Sequence, residues 1–289
     1  MTITRLNAQT GKPKVRATKP GAASLRAGGV ILLVLLSLSL YGYLFLDDAN
    51  SQDITSGNLP PFSDGHVLGT DVLGRDLLAW SAAGVATSLT VGVAVASISA
   101  VIGVLVGSLA GYLRGWVDTV LMRLVDLQLA VPPLLIFMAA SVMIQRSVLT
   151  MVVLLSSVGW VPYARLVRAT VLVERERGYI AAARLAGTRR TGIIIGHLVP
   201  ATSTPIVVFA SLQIGFVMLA EGALSFLGLG LEPPTASLGY MISQGRDQLA
   251  AAWWIATIPG LFMVLLIVAV NLVGDGLRDR FRLDQGGAA

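Results

Sequence analysis

Two carboxylates, Asp126 and Glu221, lie inside strongly apolar stretches of this 289-residue chain, and its only histidines are His66 and His197. Acids in apolar surroundings are the material of proton relays, ion sites and buried ion pairs, because an unpaired charge there is costly. Asp126 follows Arg123 by three residues, the spacing of a helical ion pair, which makes a structural pair the plainer reading. Glu221 lies 21 residues after Pro200, so a helix carries it roughly 31 Å away. That places it near the far interface, as a partly wet, hydrogen-bonded group at an outer gate and not as a mid-membrane proton relay. By the charge pattern below, the two histidines fall on opposite sides of a membrane and share no metal. With no cysteine, disulfides and thiolate chemistry are excluded. No H-E-x-x-H, G-x-S-x-G or G-x-x-x-x-G-K-[ST] occurs. No catalytic residue, metal site or phosphate-binding loop is therefore expected, and no cofactor bound by this chain.

A second polar feature is the basic stretch "YIAAARLAGTRRTGIIIGHLVP", Tyr179 to Pro200, which carries Arg184, Arg189 and Arg190 and no acid. Its start reads as helix, and it lies between two long apolar runs.

The elements that must hold these residues are membrane spans. The chain is 55% hydrophobic and 13% charged, with mean hydropathy +0.77; an ordinary soluble domain carries about a quarter charged residues. Six apolar segments stand out, at approximately 28–46, 82–112, 118–144, 148–170, 201–226 and 252–274, several of them longer than the roughly 18–20 residues that cross a bilayer as helix. The expected fold is an all-α membrane protein of six transmembrane helices. "YGYLFLDDAN" offers no A-x-A site, so the first run is kept as a membrane helix and not a cleaved leader.

Charge placement orients the chain, since Lys and Arg in short loops mark the cytoplasmic side. The tail 1–27 carries Arg5, Lys12, Lys14, Arg16, Lys19 and Arg26 and no acid; loop 47–81 carries Asp47, Asp48, Asp53, Asp64, Asp71 and Asp76 against Arg75. The tail is therefore inside and the loop outside, its aspartates singly read as solvated. Arg114 and Arg123 put the second turn inside. Arg165, Arg168, Arg175, Arg177, Arg184, Arg189 and Arg190 do the same for the largest internal loop, and Arg278, Arg280 and Arg282 for the tail 276–289. The other outer loops hold only Arg146 and Arg246. The net charge of +5 is thus topological, and no nucleic-acid partner is expected.

Within the spans, Ser99, Gly103, Gly107 and Gly111 recur every four residues and give one helix a face of small residues, read as ordinary helix packing. Pro132 and Pro133 should kink or break the third span; such a kink either lines a cavity or serves packing.

The basic stretch resembles the EAA loop of importer-type ABC permeases, a pattern of Glu-Ala-Ala, three residues, then Gly, closing near an apolar residue and Pro. Here it falls on Ala181, Ala182, Ala183, Arg184, Leu185, Ala186 and Gly187 and closes on Pro200, with Ala181 where the glutamate usually stands. "HVLGTDVLGRDLL" (His66–Leu78), "AGYLRGWVDTVLMRLVDLQLAVPPL" (Ala110–Leu134), "LAEGALSFLGLGLEPPTASLGYMISQGRD" (Leu219–Asp247) and "NLVGDGLRDRF" (Asn271–Phe281) resemble the C-type subunit of the dipeptide, oligopeptide and nickel permease family. Trp80 stands near a position where relatives often carry Arg. The resemblance spans roughly residues 66 to 281 and implies a type I ABC importer transmembrane domain over 82–275, with a coupling loop at 171–200. It implies that Ala181, Ala182, Ala183, Arg184, Leu185, Gly187, Arg189 and Arg190 dock on an ATP-hydrolysing subunit. Close approach would come from Ala182, Ala183 and Gly187, and charge complementarity from the arginines. The alternative for this helix is a basic segment lying on anionic lipid.

The resemblance further implies that Glu221, Ser225, Phe226, Gly228, Gly230 and Pro233 belong to an outer gate or receptor contact. Its implied partners are a second, B-type permease, two ATP-binding subunits that hold ATP and Mg, an extracytoplasmic substrate-binding protein and a peptide substrate. The implied setting is the bacterial cytoplasmic membrane. Nickel and glutathione importers are the nearer alternatives. An ion-coupled secondary transporter is the distant one, which mid-membrane acids or inverted repeats would favour.

Overall fold

A computed structural model of the chain describes residues 22–45, 50–143 and 145–286. Arg5, Lys12, Lys14, Arg16, Lys19, Asp47 and Asp48, on which part of the charge argument rests, lie outside the described residues.

The long helices are α1 (Ala22–Phe45), α2 (Leu77–Leu113), α5 (Val148–Glu174), α8 (Val199–Phe226) and α10 (Trp254–Gly286). The shorter ones are α3 (Gly115–Ala130), α4 (Pro133–Met143), α6 (Gly178–Leu185), α7 (Arg190–Ile193) and α9 (Leu238–Arg246). Among the described residues, five helices are long and apolar enough to span a membrane. The count is six when α3 and α4, bent by 76° at their junction, form one broken span. The break falls at Val131–Pro132, as proline chemistry dictates: Pro132 and Pro133 cannot donate to the helical ladder, and each disfavours helix in the residue before it.

Helix α2 is the scaffold. Its 37 residues reach about 55 Å, beyond a hydrocarbon core of about 30 Å. It begins at Leu77, inside the segment expected to be loop, because the Asp76 carboxylate accepts from Ala79 N at 2.9 Å and caps it. The small-residue stripe packs α2 against α5, as expected. A Cβ on Gly103 would meet Ala164 N at 2.9 Å, one on Gly107 would meet Ala164 O at 2.6 Å, and one on Gly111 would meet Val171 Cβ at 2.9 Å. Helix α1 lies on α10, where a Cβ on Gly28 would meet Ala269 O at 2.7 Å, and Ser39 Oγ donates to Ala82 O of α2 at 2.7 Å. Helix α10 runs past residue 275, so 276–286 continue a helix instead of opening a tail. The largest buried cluster joins α1, α2, α8, α9 and α10 through Leu35, Trp80, Met218, Leu238, Met241 and Leu266.

Between α1 and α2 the acidic loop is built, not merely solvated. Asp71, 4% exposed, accepts from Leu73 N, Arg75 N and Arg75 Nε, the last at 2.7 Å. The Arg75 guanidinium lies 4.4 Å from the Trp80 ring, a cation–π pair, and His66 Nδ1 bonds Asp76 Oδ2 at 2.8 Å.

The α2–α5 seam yields a test. Gly107→Val pushes a branched side chain into α5 backbone and should lower stability by about 1–3 kcal/mol, read as a lower thermal midpoint of the detergent-solubilised chain. Gly29→Val, where nothing lies within 4 Å of the new Cβ, should leave the midpoint in place.

Candidate functional site

At the basic end of the bundle, α5 stops at Glu174 and the turn Arg175–Arg177 reverses the chain into α6. Arg175 fixes this corner to α2: its Nη1 donates to Tyr112 O at 2.8 Å and Gly111 O at 3.3 Å, satisfying the last carbonyls of that helix. Ile180, fully buried, anchors α6 into a cluster with Val167, Val171, Ile193 and Leu198, and Ala183 packs against the same cluster. The other face is open: Ala181, Ala182, Arg184 and Leu185 are exposed, Leu185 to 90%. Ala183 is thus turned inward and does not join the exposed set.

Gly187 has a role within the chain's own fold, beside the close approach to a partner expected of it. Its φ is +79° and nothing lies within 4 Å of where a Cβ would be. Thr188 N donates to Ala183 O at 3.1 Å and Gly187 N to Arg184 O at 3.0 Å, the paired bonds of a Schellman stop, which places glycine in the left-handed region. Gly187 therefore ends α6 and presents Arg189 and Arg190 beyond it, both exposed. A wide i→i+5 turn, Ile194–Leu198, then leads into α8. Glu174 accepts from Tyr179 Oη at 2.8 Å and from Arg177 at 3.1 Å. Burial raises the Tyr179 phenol above its ordinary value and the Glu174 carboxylate raises it further, so at neutral pH the hydroxyl remains a donor. His197 stacks on the Tyr179 ring, with centroids 6.3 Å apart.

At the opposite end, Glu221 is not partly wet: it is 0% exposed. Three hydroxyls donate to it, Ser237 at 2.6 Å, Ser225 at 3.1 Å and Ser88 at 3.4 Å. They come from the start of α9, from α8 and from α2, so one carboxyl group ties three elements. Ser225, Gly228 and Gly230 line a cavity of about 450 Å³ with Arg146, Tyr240 and Arg246, whereas Glu221, Phe226 and Pro233 do not line it. Phe226 lies beneath the Arg246 guanidinium at 4.9 Å. Gly230 is held by crowding, since a Cβ there would meet Ser225 Cβ at 2.6 Å. Pro233 is exposed, and beside it Glu232 pairs with Arg146.

Asp126 does not pair with Arg123. It accepts from Arg165 Nη2 of α5 at 2.8 Å, and Asp118 takes Arg168 through two bonds of 2.6 and 2.7 Å. Both pairs tie the broken span to α5. Of the two readings of the proline break, the cavity holds: Pro133, Phe137, Gly159, Pro162, Gln213 and Phe216 are among the residues lining an apolar space of about 520 Å³ between α3, α4, α5 and α8.

An all-helical set of spans, with a short open helix projecting from one end and a pinned loop at the other, defines a polytopic membrane protein. Residues 103–283 match the family of binding-protein-dependent transport system inner membrane components. A Brucella suis biovar 1 protein named as a peptide transport system permease is 38% identical over 257 residues, covering 89% of this chain and 86% of that one. The oligopeptide transport system permease protein OppC of Mycobacterium tuberculosis is 39% identical over 250 residues, 86% of each chain. The di/tripeptide transport system permease protein DppC of Pseudomonas aeruginosa is 39% identical over 213 residues, 74% of this chain and 70% of that one. The chain belongs to this family of inner membrane permease components, and its fold is the type I ABC importer transmembrane fold.

Two substitutions probe the two ends. Gly187→Ala forces a left-handed alanine at a cost of about 1–2 kcal/mol and should speed hydrogen exchange at the last α6 amides by roughly 5- to 30-fold. Gly178→Ala, with open space and no positive φ, should not. Glu221→Leu leaves three buried hydroxyls without their acceptor, about 1–3 kcal/mol each at most, and should unprotect α9. Glu221→Gln, which keeps an acceptor oxygen for Ser225 and Ser237, should retain most of that protection.

Proposed function

We propose that this chain is one of two non-identical permease subunits of an ATP-driven importer that carries peptides across the bacterial cytoplasmic membrane. The observation that carries the reading is the open face of α6: a short helix pinned by Ile180 to the end of α5, with Ala181, Ala182, Arg184 and Leu185 turned outward. Such a helix transmits the movement of whatever grips it straight into α5 and, through the glycine seam, into α2. Family membership and the peptide transport names of the relatives support the cargo class.

In this reading the basic end is cytoplasmic, as are both termini, which is supported by the excess of Arg and Lys there. Two ATP-binding subunits dock on the coupling helices and hold the ATP and Mg; this chain contributes no catalytic group. Their closure moves the α6 helices and swings the spans from inward to outward opening, a rigid-body two-state change, and hydrolysis resets it. An extracytoplasmic substrate-binding protein delivers peptide to the opposite end, where the Glu221-pinned segment and the built acidic loop form its landing face.

The test uses the absence of native thiols. A single Ala182→Cys should cross-link to one ATP-binding subunit in membranes carrying the whole transporter, with a yield that changes on adding ATP. A cysteine at exposed Ala27, on α1, should give no such product. Equal labelling of both sites, with no ATP-binding subunit captured, would remove the docking reading.

A further inference from the structure

A cavity of about 440 Å³ opens beside the docking helix, lined by Arg175, Arg184, Arg190, Tyr112, Thr188 and Ile193 among others, and no acid is among its lining residues. The Arg184 guanidinium lies 5.6 Å from the Tyr112 ring. The two acids nearest in sequence are already engaged: Glu174 by Arg177 and Tyr179, and Glu176 by Arg175 at 3.0 Å. From Arg177 to Pro200 the chain carries Arg177, Arg184, Arg189 and Arg190 and no carboxylate. Among the described residues, Arg184 and Arg190 make no ion pair. Three guanidinium groups thus share one concave space, and of the three only Arg175 has a countercharge. Covering that space with an apolar or basic surface would strand their charges at a cost of several kcal/mol, whereas a carboxylate would meet the planar forks two bonds at a time.

We propose that this cavity seats an aspartate or glutamate side chain of the ATP-binding subunit, so that the docking face is read by charge as well as shape. The inference rests on the docking reading above. Its place at the end of the bundle, beside the open face of α6, favours a protein carboxylate over a lipid phosphate. On α5, Arg165 and Arg168 already hold Asp126 and Asp118, and Arg175 lies seven residues beyond Arg168, about 10 Å further along the axis. The remaining wall is made by the end of α2, by α6 and the turn after it, and by α7, and exposed Leu185 on α6 gives the same face an apolar anchor.

The experiment recovers the transporter from native membranes on a tag carried by this chain and quantifies co-purified ATP-binding subunit and phospholipid over a salt series. Arg184→Glu with Arg190→Glu should cut recovery of the ATP-binding subunit at least about tenfold, and wild-type recovery should fall as salt rises. Exchanging the matching partner acid for arginine, located by disulfide capture from Thr188→Cys, should restore recovery. Should the double variant lose its detergent thermal midpoint, Thr188→Glu, which adds a negative charge at the cavity and removes no arginine, should lower recovery in its place. Undiminished recovery in charge-reversed protein, while wild type still brings down the ATP-binding subunit, overturns the carboxylate seat and leaves docking intact. The same result with loss of anionic phospholipid also overturns it and assigns the cavity to headgroup phosphate. Wild type that recovers no ATP-binding subunit overturns both readings.

Discussion

The seam between α2 and α5 is the constraint on which the other arrangements depend. Three successive small positions, Gly103, Gly107 and Gly111, let two helical backbones approach until no Cβ fits between them. Between apolar helices in lipid there is little hydrophobic drive to associate, so close van der Waals contact of this kind has to supply the specificity. The consequence is mechanical. Helix α5 cannot slide on α2 without driving side chains into backbone, so the pair moves as one body, and α6, which leaves α5 after a three-residue turn, inherits its position. Arg175 completes the link by donating to the final carbonyls of α2.

The opposite end refers to the same helix. Asp76 caps α2 and holds His66, Trp80 near its start stacks with Arg75, and Ser88 donates to Glu221. A buried carboxyl tolerates few arrangements, because every partner it loses leaves a polar atom with none. Glu221 therefore makes the seating of α9 a matter of engaged or released, not of gradual drift. Both ends are thus fixed to one long, stiff element. In the proposed importer, that is the physical requirement for a push at the docking helix to be felt at the outer gate.

What the sequence disclosed was local, and what it withheld was long-range. Hydropathy located every span, and paired prolines located the break in the third. Boundaries slipped where local chemistry decided them: α2 starts at Leu77, ahead of the expected span, because Asp76 caps it, and α10 continues through Asp275 and Asp279 because helix propensity does not stop at the membrane edge. The place of Glu221 near the far end of α8 followed from counting residues, but its burial depends on Ser88, 133 residues away, and on Ser237. Arg123 was the obvious partner for Asp126 by spacing, yet the acid is turned toward α5, 39 residues on. Gly187 was read for only one of its roles. A glycine directly after a short helix is a stop signal, and the motif reading drew attention to contact instead. For Ala183 the signal was also present, since it lies one turn after Ile180 and shares its buried face.

Ala181 gains its meaning from this geometry. It stands exposed on α6 where the related pattern places a glutamate, and with alanine there the outward face carries Arg184, Arg189 and Arg190 and no acid. A docking face of mixed sign can be met by partners of several charge patterns. A face of one sign rejects any partner whose matching surface is basic, and like-charge contact at a desolvated interface is among the stronger forms of rejection. In the proposed importer the substitution therefore need not weaken docking; it narrows the set of subunits that can dock. On that proposal shape and charge divide the work: Gly187 and Ile180 fix where the helix projects, and the arginines would fix what it accepts.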